Sequence, residues 1–264
     1  MNRRDLIAGS AALAAMATVK AREAMGQSAT SAAGPRQYYL IRRYKLVNNG
    51  VQNQAAAKYF AESLVPALGR MGIGPVGVFA VAYGDTPMTV VIMPSADAVK
   101  LATVDYQLMQ DAVYVKSSTG FLSPSVAQAP FERVDSTLSQ AFASFPTLMA
   151  PSKEPHILQM RTYESATYGA HLRKVEMMED GEIAVFKAAG AQNVFFASNL
   201  IGGRLPSLTY MLAHKDLATL DATWKNFMAN PDWKKLQATP KYSTEPLVSH
   251  LENLVLTPTA ASQI

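Results

Sequence analysis

The chain has 264 residues, 49% of them hydrophobic, with 24 Lys and Arg against 20 Asp and Glu for a net charge of +4, and it contains no cysteine. The missing thiol excludes disulfides, thiolate nucleophiles and Cys-ligated zinc or iron–sulfur centres, so an apolar core must carry the stability. The charge excess is small and no basic stripe is interleaved with aromatic residues, which argues against a nucleic-acid partner.

Residues 1–33 read as an export signal. Asn2-Arg3-Arg4-Asp5 precedes an Ala-rich apolar run from Leu6 to Val19, and small-residue sites such as Ala24-Met25-Gly26 follow. Twin arginines ahead of a weakly apolar core are the pattern of the Tat route, so a periplasmic or secreted protein is expected. The run is too short to span a bilayer, and no stable membrane anchor is expected. Removing this segment takes away Arg3, Arg4, Lys20 and Arg22 against Asp5 and Glu23, which leaves the remainder close to neutral.

From there the chain repeats itself at a displacement of 119 residues: Arg42 falls on Arg161, Tyr44 on Tyr163, Gly84 on Gly203, Pro87 on Pro206 and Asp97 on Asp216. A period that long describes a whole small domain rather than a solenoid module. The first copy, residues 37–138, opens with a strand over 38–44. A helix follows with Ala56, Phe60, Leu64, Ala67 and Met71 on one stripe, and it stops at Gly72. Strands over 76–83 and 88–93 flank the turn Gly84-Asp85-Thr86-Pro87, a second helix starts at an Asp97 cap, and a last strand begins near Phe131. Residues 139–154, with Pro146 and Pro151, read as a linker.

The second copy, residues 155–257, follows the same order. Its strand over 157–163 leads to a helix whose stripe, carried over at 119 residues, is Val175, Glu179, Ile183 and Phe186, ending at Gly190. Strands over 194–200 and 208–212, a helix capped by Asp216 with Leu220, Trp224 and Phe227, and a strand over 248–255 complete it. The fold class is therefore α+β: two tandem ferredoxin-like β-α-β-β-α-β units, packed sheet to sheet as an intramolecular dimeric α+β barrel.

The pattern Trp224-x-x-Phe227-x-x-x-Pro231-Asp232-Trp233, preceded by Leu158-Gln159-Met160-Arg161-Thr162-Tyr163-Glu164, resembles the NIPSNAP family over most of residues 155–257. The first copy is degenerate, with Leu108, Ala112 and Tyr114 where the second has Phe227, Pro231 and Trp233. Where that family carries an acid two positions before the strand arginine, this chain has Leu40 and Gln159. The resemblance implies a dimeric α+β barrel, shared with small monooxygenases and haem-handling proteins. Two functions stay open: a barrel pocket for a small organic ligand with oxygenase- or isomerase-like chemistry that needs no cofactor, or a non-enzymatic binding or protein-interaction module. Self-association is also left open. Haem, with His171 as a lone ligand, is the alternative to the expectation of no cofactor.

Period 2 puts Gln159, Arg161 and Tyr163 on one face of the strand and Leu158, Met160 and Thr162 on the other; Arg42 and Tyr44 repeat the pattern in the first copy. A guanidinium, an amide and a phenol on one face can converge on a polar ligand group, or can serve only to stitch two sheets together. Glu179 is the remaining candidate, since the first copy has Phe60 at that position of the stripe. Either it is buried and must meet a donor such as Arg161 or Gln159, or the helix is turned and it lies at the edge in water. His156, His171, His214 and His250 form no metal-ligand pattern, and neither a phosphate-binding loop nor a Gly-x-Ser-x-Gly turn is present.

Overall fold

The computed structural model describes residues 35–152, 154 and 156–264; the leader assigned to residues 1–33 lies outside the described residues. In chain order the first half comprises β1 (Tyr38–Leu46), α1 (Gly50–Tyr59), a π-helical turn (Phe60–Leu64), α2 (Val65–Arg70), β2 (Gly77–Tyr83), β3 (Met88–Ser95), α3 (Ala98–Ala102), α4 (Val104–Leu108), α5 (Ala112–Leu122) and β4 (Phe131–Ala141). The second half comprises β5 (Ile157–Glu164), α6 (Tyr168–Met177), a π-helical turn (Met178–Glu182), α7 (Ile183–Ala188), β6 (Gln192–Ile201), β7 (Ser207–His214), α8 (Leu217–Ala229), α9 (Pro231–Gln237), α10 (Pro240–Ser243) and β8 (His250–Pro258).

The helix limits are those the local chemistry sets. Asp97 and Asp216 cap α3 and α8 by accepting from Val99 and Lys100 and from Thr219, as their positions predict. Asp111 and Asn230, again one period apart, cap α5 and α9. Gly72 and Gly190 end the first helices at φ +69° and +105°, backbone that a Cβ would strain.

The eight strands close into one antiparallel barrel in the order β1-β3-β2-β8-β5-β7-β6-β4, with β4 returning to β1. Each half contributes four adjacent strands in the ferredoxin-like order. The halves join edge to edge through β2–β8 and β4–β6, so the sheets face each other across a lumen and, among the described residues, no strand edge of the barrel is left unpaired. Arg43 and Thr162, equivalent residues of the two copies, touch: Arg43 Nη2 donates to Thr162 Oγ1 at 3.4 Å. Two residues related by a twofold can meet only beside its axis, so the axis leaves the barrel there, between β1 and β5.

Alternation along the strands sorts the core into three parts. Tyr39, Ile41, Leu158, Met160, Phe195 and Met211 fill the lumen, while Gln159, Arg161 and Tyr163 point outward beneath the helices. The outer layer of the first half is an aromatic cluster in which Tyr59 stacks on Phe121 at 3.7 Å and Tyr44 meets Phe60 edge-on at 5.1 Å. That of the second half holds Phe186, Phe196, Tyr210, Phe227 and Trp233.

One strand limit and the linker differ from the sequence reading. β4 runs on to Ala141 because its far end pairs with β6 of the other half, a non-local contact that periodicity does not reveal. The segment after it, read as a linker, is packed: Phe142 and Phe145 lie 6.4 and 5.2 Å from the Phe196 ring, and Met149 donates its N–H to Val194 O at 2.9 Å.

Candidate functional site

The polar side chains of the second half collect on the outward face of β5. Gln159 is buried and fully engaged, with its Nε2 donating to Asn253 Oδ1 and its Oε1 accepting from Trp224 Nε1, both at 2.8 Å. It thereby fixes the Trp224 ring, and the Arg161 guanidinium lies over that ring with Cζ 4.2 Å from the centroid. Arg161 also sits 5.2 Å from the centre of the Tyr163 ring. The Tyr163 and Tyr210 hydroxyls are 2.7 Å apart; burial pushes Tyr163 up to about 12 and Tyr210 well above its usual value, so both stay protonated at neutral pH. This face looks toward the helices and away from the opposite sheet. It neither walls the lumen nor stitches the sheets together.

Glu179 is not part of this group. It is half-buried at the helix edge, where its Oε1 accepts from the Ser144 N–H at 2.9 Å. The cause is a one-residue difference between the copies. The helix caps Asn49 and Thr167 are 118 residues apart, not 119, as are the π turns that start at Phe60 and Met178. The buried stripe opposite Ala56, Phe60 and Leu64 is therefore Lys174, Met178 and Glu182.

The buried carboxylate is Glu182. It is 2% exposed and meets Lys174, 5% exposed, at 2.5 Å. The ammonium lies 5.3 and 5.8 Å from the Tyr163 and Trp233 ring centres. One signal in the sequence gives the correct register: the helix-ending glycines Gly72 and Gly190 are themselves 118 apart.

His171, on α6, places Nε2 2.7 Å from Ser198 Oγ, and burial lowers its pKa, which keeps the ring neutral. Among the described residues no group of three or more His, Asp or Glu is arranged to hold a metal ion.

Comparison with known proteins gives the second half a family. Residues 158–263 match the NIPSNAP family model. The second half carries a NIPSNAP domain. No curated protein matches the chain. Three solved structures share its fold. A candidate monooxygenase from Fusobacterium nucleatum superposes with a TM-score of 0.55 at 8% identity over 84% of this chain and 92% of its own. An anthrone oxidase-like protein gives 0.53 at 7% over 86% and 93%, and a candidate chlorite dismutase 0.51 at 9% over 87% and 97%. These establish the dimeric α+β barrel, here formed within one chain.

The NIPSNAP half differs from the first half at its arginine. Arg42 is clamped by Asp105 in a bidentate pair at 2.7 and 2.6 Å; burial works against its charge, but Asp105 and Tyr44 together outweigh this and raise the Arg42 pKa. One period on, the counterpart of Asp105 is Trp224. Arg161 has no carboxylate within 4.0 Å among the described residues, and its guanidinium lies over the Tyr163 and Trp224 rings. Tyr44 lies in the aromatic cluster of the first half. Of the sequence candidates, Gln159, Arg161 and Tyr163 come together, Arg42 and Tyr44 form the equivalent group in the other half, and Glu179 stands apart. Lys174, Glu182, Tyr210 and Trp224 are the residues that sequence reasoning did not assign to a site.

Proposed function

We propose that this is an exported protein whose NIPSNAP half binds a small organic carboxylate, with Arg161 holding the carboxylate and Trp224 offering an apolar face. The observation that carries the reading is the exchange of Asp105 for Trp224. In one half the chain supplies its own carboxylate to the arginine; in the other a half-buried guanidinium is left for an external anion, which it can take in two parallel hydrogen bonds. The test uses Trp fluorescence and calorimetry with acetate, benzoate and phenylacetate. Binding should be lost in Arg161→Gln and in Trp224→Asp, which rebuilds the Arg42–Asp105 pair in the second half. A Trp224→Asp protein that binds as the parent does would reject the reading.

An enzymatic reading, of the oxygenase or isomerase type without a cofactor, has one observation in its favour. The Tyr163–Tyr210 hydroxyl pair lies beside the Lys174–Glu182 ion pair and the Arg161 group, a cluster able to hold and donate protons to a bound anion. Oxygen uptake or turnover of a bound carboxylate separates this from binding alone. Haem does not suit this half: the layer beneath α6 is filled by Phe186, Phe196, Tyr210 and Phe227, and His171 Nε2 is engaged with Ser198.

A further inference from the structure

The end of the barrel where the twofold axis emerges holds a cavity of about 320 Å³ that the Arg161 reading does not use. Its walls come from both halves, with Ile41, Arg43 and Thr137 on one side and Thr162, Asn199 and Arg204 on the other. Elsewhere the lumen is apolar. Here a hydrogen-bonded chain runs across it: Ser139 Oγ donates to Asn199 Oδ1 at 2.7 Å, and Asn199 Nδ2 donates to Ser207 Oγ and Thr209 Oγ1 at 2.8 and 3.1 Å. Thr209 and Thr162 share a bond at 3.2 Å, and Arg43 closes the chain on Thr162.

The charges are unevenly matched. Arg43 and Arg204 both pair with one carboxylate, Glu252, at 2.6 and 2.7 Å. Burial pushes the Glu252 carboxyl up, but the two guanidiniums outweigh this and hold it below the usual range, so it is ionised and neutralises one of them. The remaining wall charges, Arg133 and Asp135, neutralise each other at 3.2 Å. One positive charge is left over at a water-accessible mouth rich in hydroxyl and amide groups.

The twofold sharpens the point, because the ion pair on the opposite side is reversed. Asp85 on the β2–β3 turn meets Arg133 of β4 at 4.0 Å, where the second half has Arg204 on the β6–β7 turn and Glu252 of β8. The turn that overhangs this cavity therefore carries a guanidinium where its counterpart carries a carboxylate. Gly203 beside it leaves open space where a Cβ would stand.

We propose that this cavity binds the oxyanion group of a small molecule, a phosphate or a carboxylate, between Arg43 and Arg204 with the Thr162 hydroxyl as an additional partner. The site straddles the two halves and exists only because they are joined in one barrel. Its recognition is electrostatic and should weaken with salt.

Calorimetry of the chain without its leader at low salt, with inorganic phosphate, citrate and sorbitol as probes, tests the proposal. Phosphate or citrate should bind and sorbitol should not; a preference for one anion identifies the source of the oxyanion. Arg204→Ala, on a half-exposed turn, should weaken binding about tenfold or more, and Glu252→Gln, which removes the competing carboxylate, should tighten it several-fold. Arg161→Gln should leave the phosphate titration unchanged, which separates this site from the carboxylate site of the NIPSNAP half. Absence of binding by both anions, unchanged affinity in Arg204→Ala, or transfer of the loss to Arg161→Gln would each overturn the proposal. Should Glu252→Gln fail to fold, Arg204→Ala and the salt dependence decide.

Discussion

The Lys174–Glu182 pair makes a quantitative prediction because the molecule contains its apolar alternative. Both side chains are almost wholly buried, and their equivalents in the first half are Ala56 and Leu64, each 0% exposed. Removing one partner strands the other in a layer of Tyr163, Tyr210 and Trp233, at a cost of about 3–5 kcal/mol. For a barrel of this size that corresponds to a fall in Tm of roughly 6–20 °C, at about 2–4 °C per kcal/mol. Replacing both with residues of similar volume removes the desolvation penalty together with the attraction, so Lys174→Met/Glu182→Leu should lie within about 2 kcal/mol of the parent or above it. Urea and thermal unfolding of the two single variants and the double variant at pH 7 measure the coupling. Single losses below about 1 kcal/mol, or a double variant as unstable as the sum of the singles, would refute the claim that the pair is mutually dependent and buried.

Three further outcomes are expected. His214 is 2% exposed with neither ring nitrogen partnered, and burial lowers its pKa to about 4. The unfolded chain takes up that proton as pH falls through about 6.5 while the folded chain resists it down to about 4. Stability should therefore be unaffected above pH 7 and decline by on the order of 3 kcal/mol between pH 6.5 and 4, with His171 adding to the decline; urea unfolding of parent and His214→Leu across this range measures it, and an equally steep decline in the variant would disprove the assignment. Glu179→Ala should cost only about 0.5–1 kcal/mol, the single bond to the Ser144 N–H, and a loss above 3 kcal/mol would restore it to the buried stripe. Replacing Arg3 and Arg4 with lysine should retain the precursor in the cytoplasm by fractionation and immunoblot, and undisturbed export would remove the Tat assignment.

The fold was legible because it rests on local rules applied twice. The Asp97 and Asp216 caps, the Gly72 and Gly190 stops and the alternation along β1 and β5 each follow from one short segment, and the 119-residue repeat supplies the plan that joins them. The site was less legible for two reasons. Carrying the helix over at 119 residues turned Glu179 toward the core, whereas the helix cap follows the strand arginine by six residues in the second copy (Arg161 to Thr167) and by seven in the first (Arg42 to Asn49), and a one-residue error moves a helical side chain by about 100°. The edge pairing of β4 with β6, which builds the barrel mouth, is a contact between distant segments on which periodicity is silent. Arg161 and Tyr163 were found because period 2 needs no register between elements; Trp224, which decides what Arg161 can do, stands in the sequence only as one apolar position of the helix capped by Asp216, with nothing to mark its pairing with Arg161.

The Arg161 site also limits the size of its ligand. A charge-assisted pair with a half-buried guanidinium contributes about 1.5–3 kcal/mol, while association costs at least about 4 kcal/mol of lost translational and rotational freedom. Acetate, which brings little beyond the carboxylate, should therefore bind only in the millimolar range or more weakly. Micromolar affinity corresponds to about −8 kcal/mol, so the apolar part of the ligand must supply roughly 9–10 kcal/mol, or nearly 400 Å² of buried apolar surface at about 25 cal/mol/Å². The exposed part of the Trp224 ring is one place for that contact, and Gln159 already holds the ring in position, so little of the gain is lost to ordering it. Benzoate and phenylacetate should accordingly bind more tightly than acetate by a factor of ten or more, and the advantage should vanish in Trp224→Ala while residual acetate binding persists. Equal affinity for the three carboxylates would mean that Arg161 acts as a bare surface charge, and the exchange of Asp105 for Trp224 would then carry no functional weight.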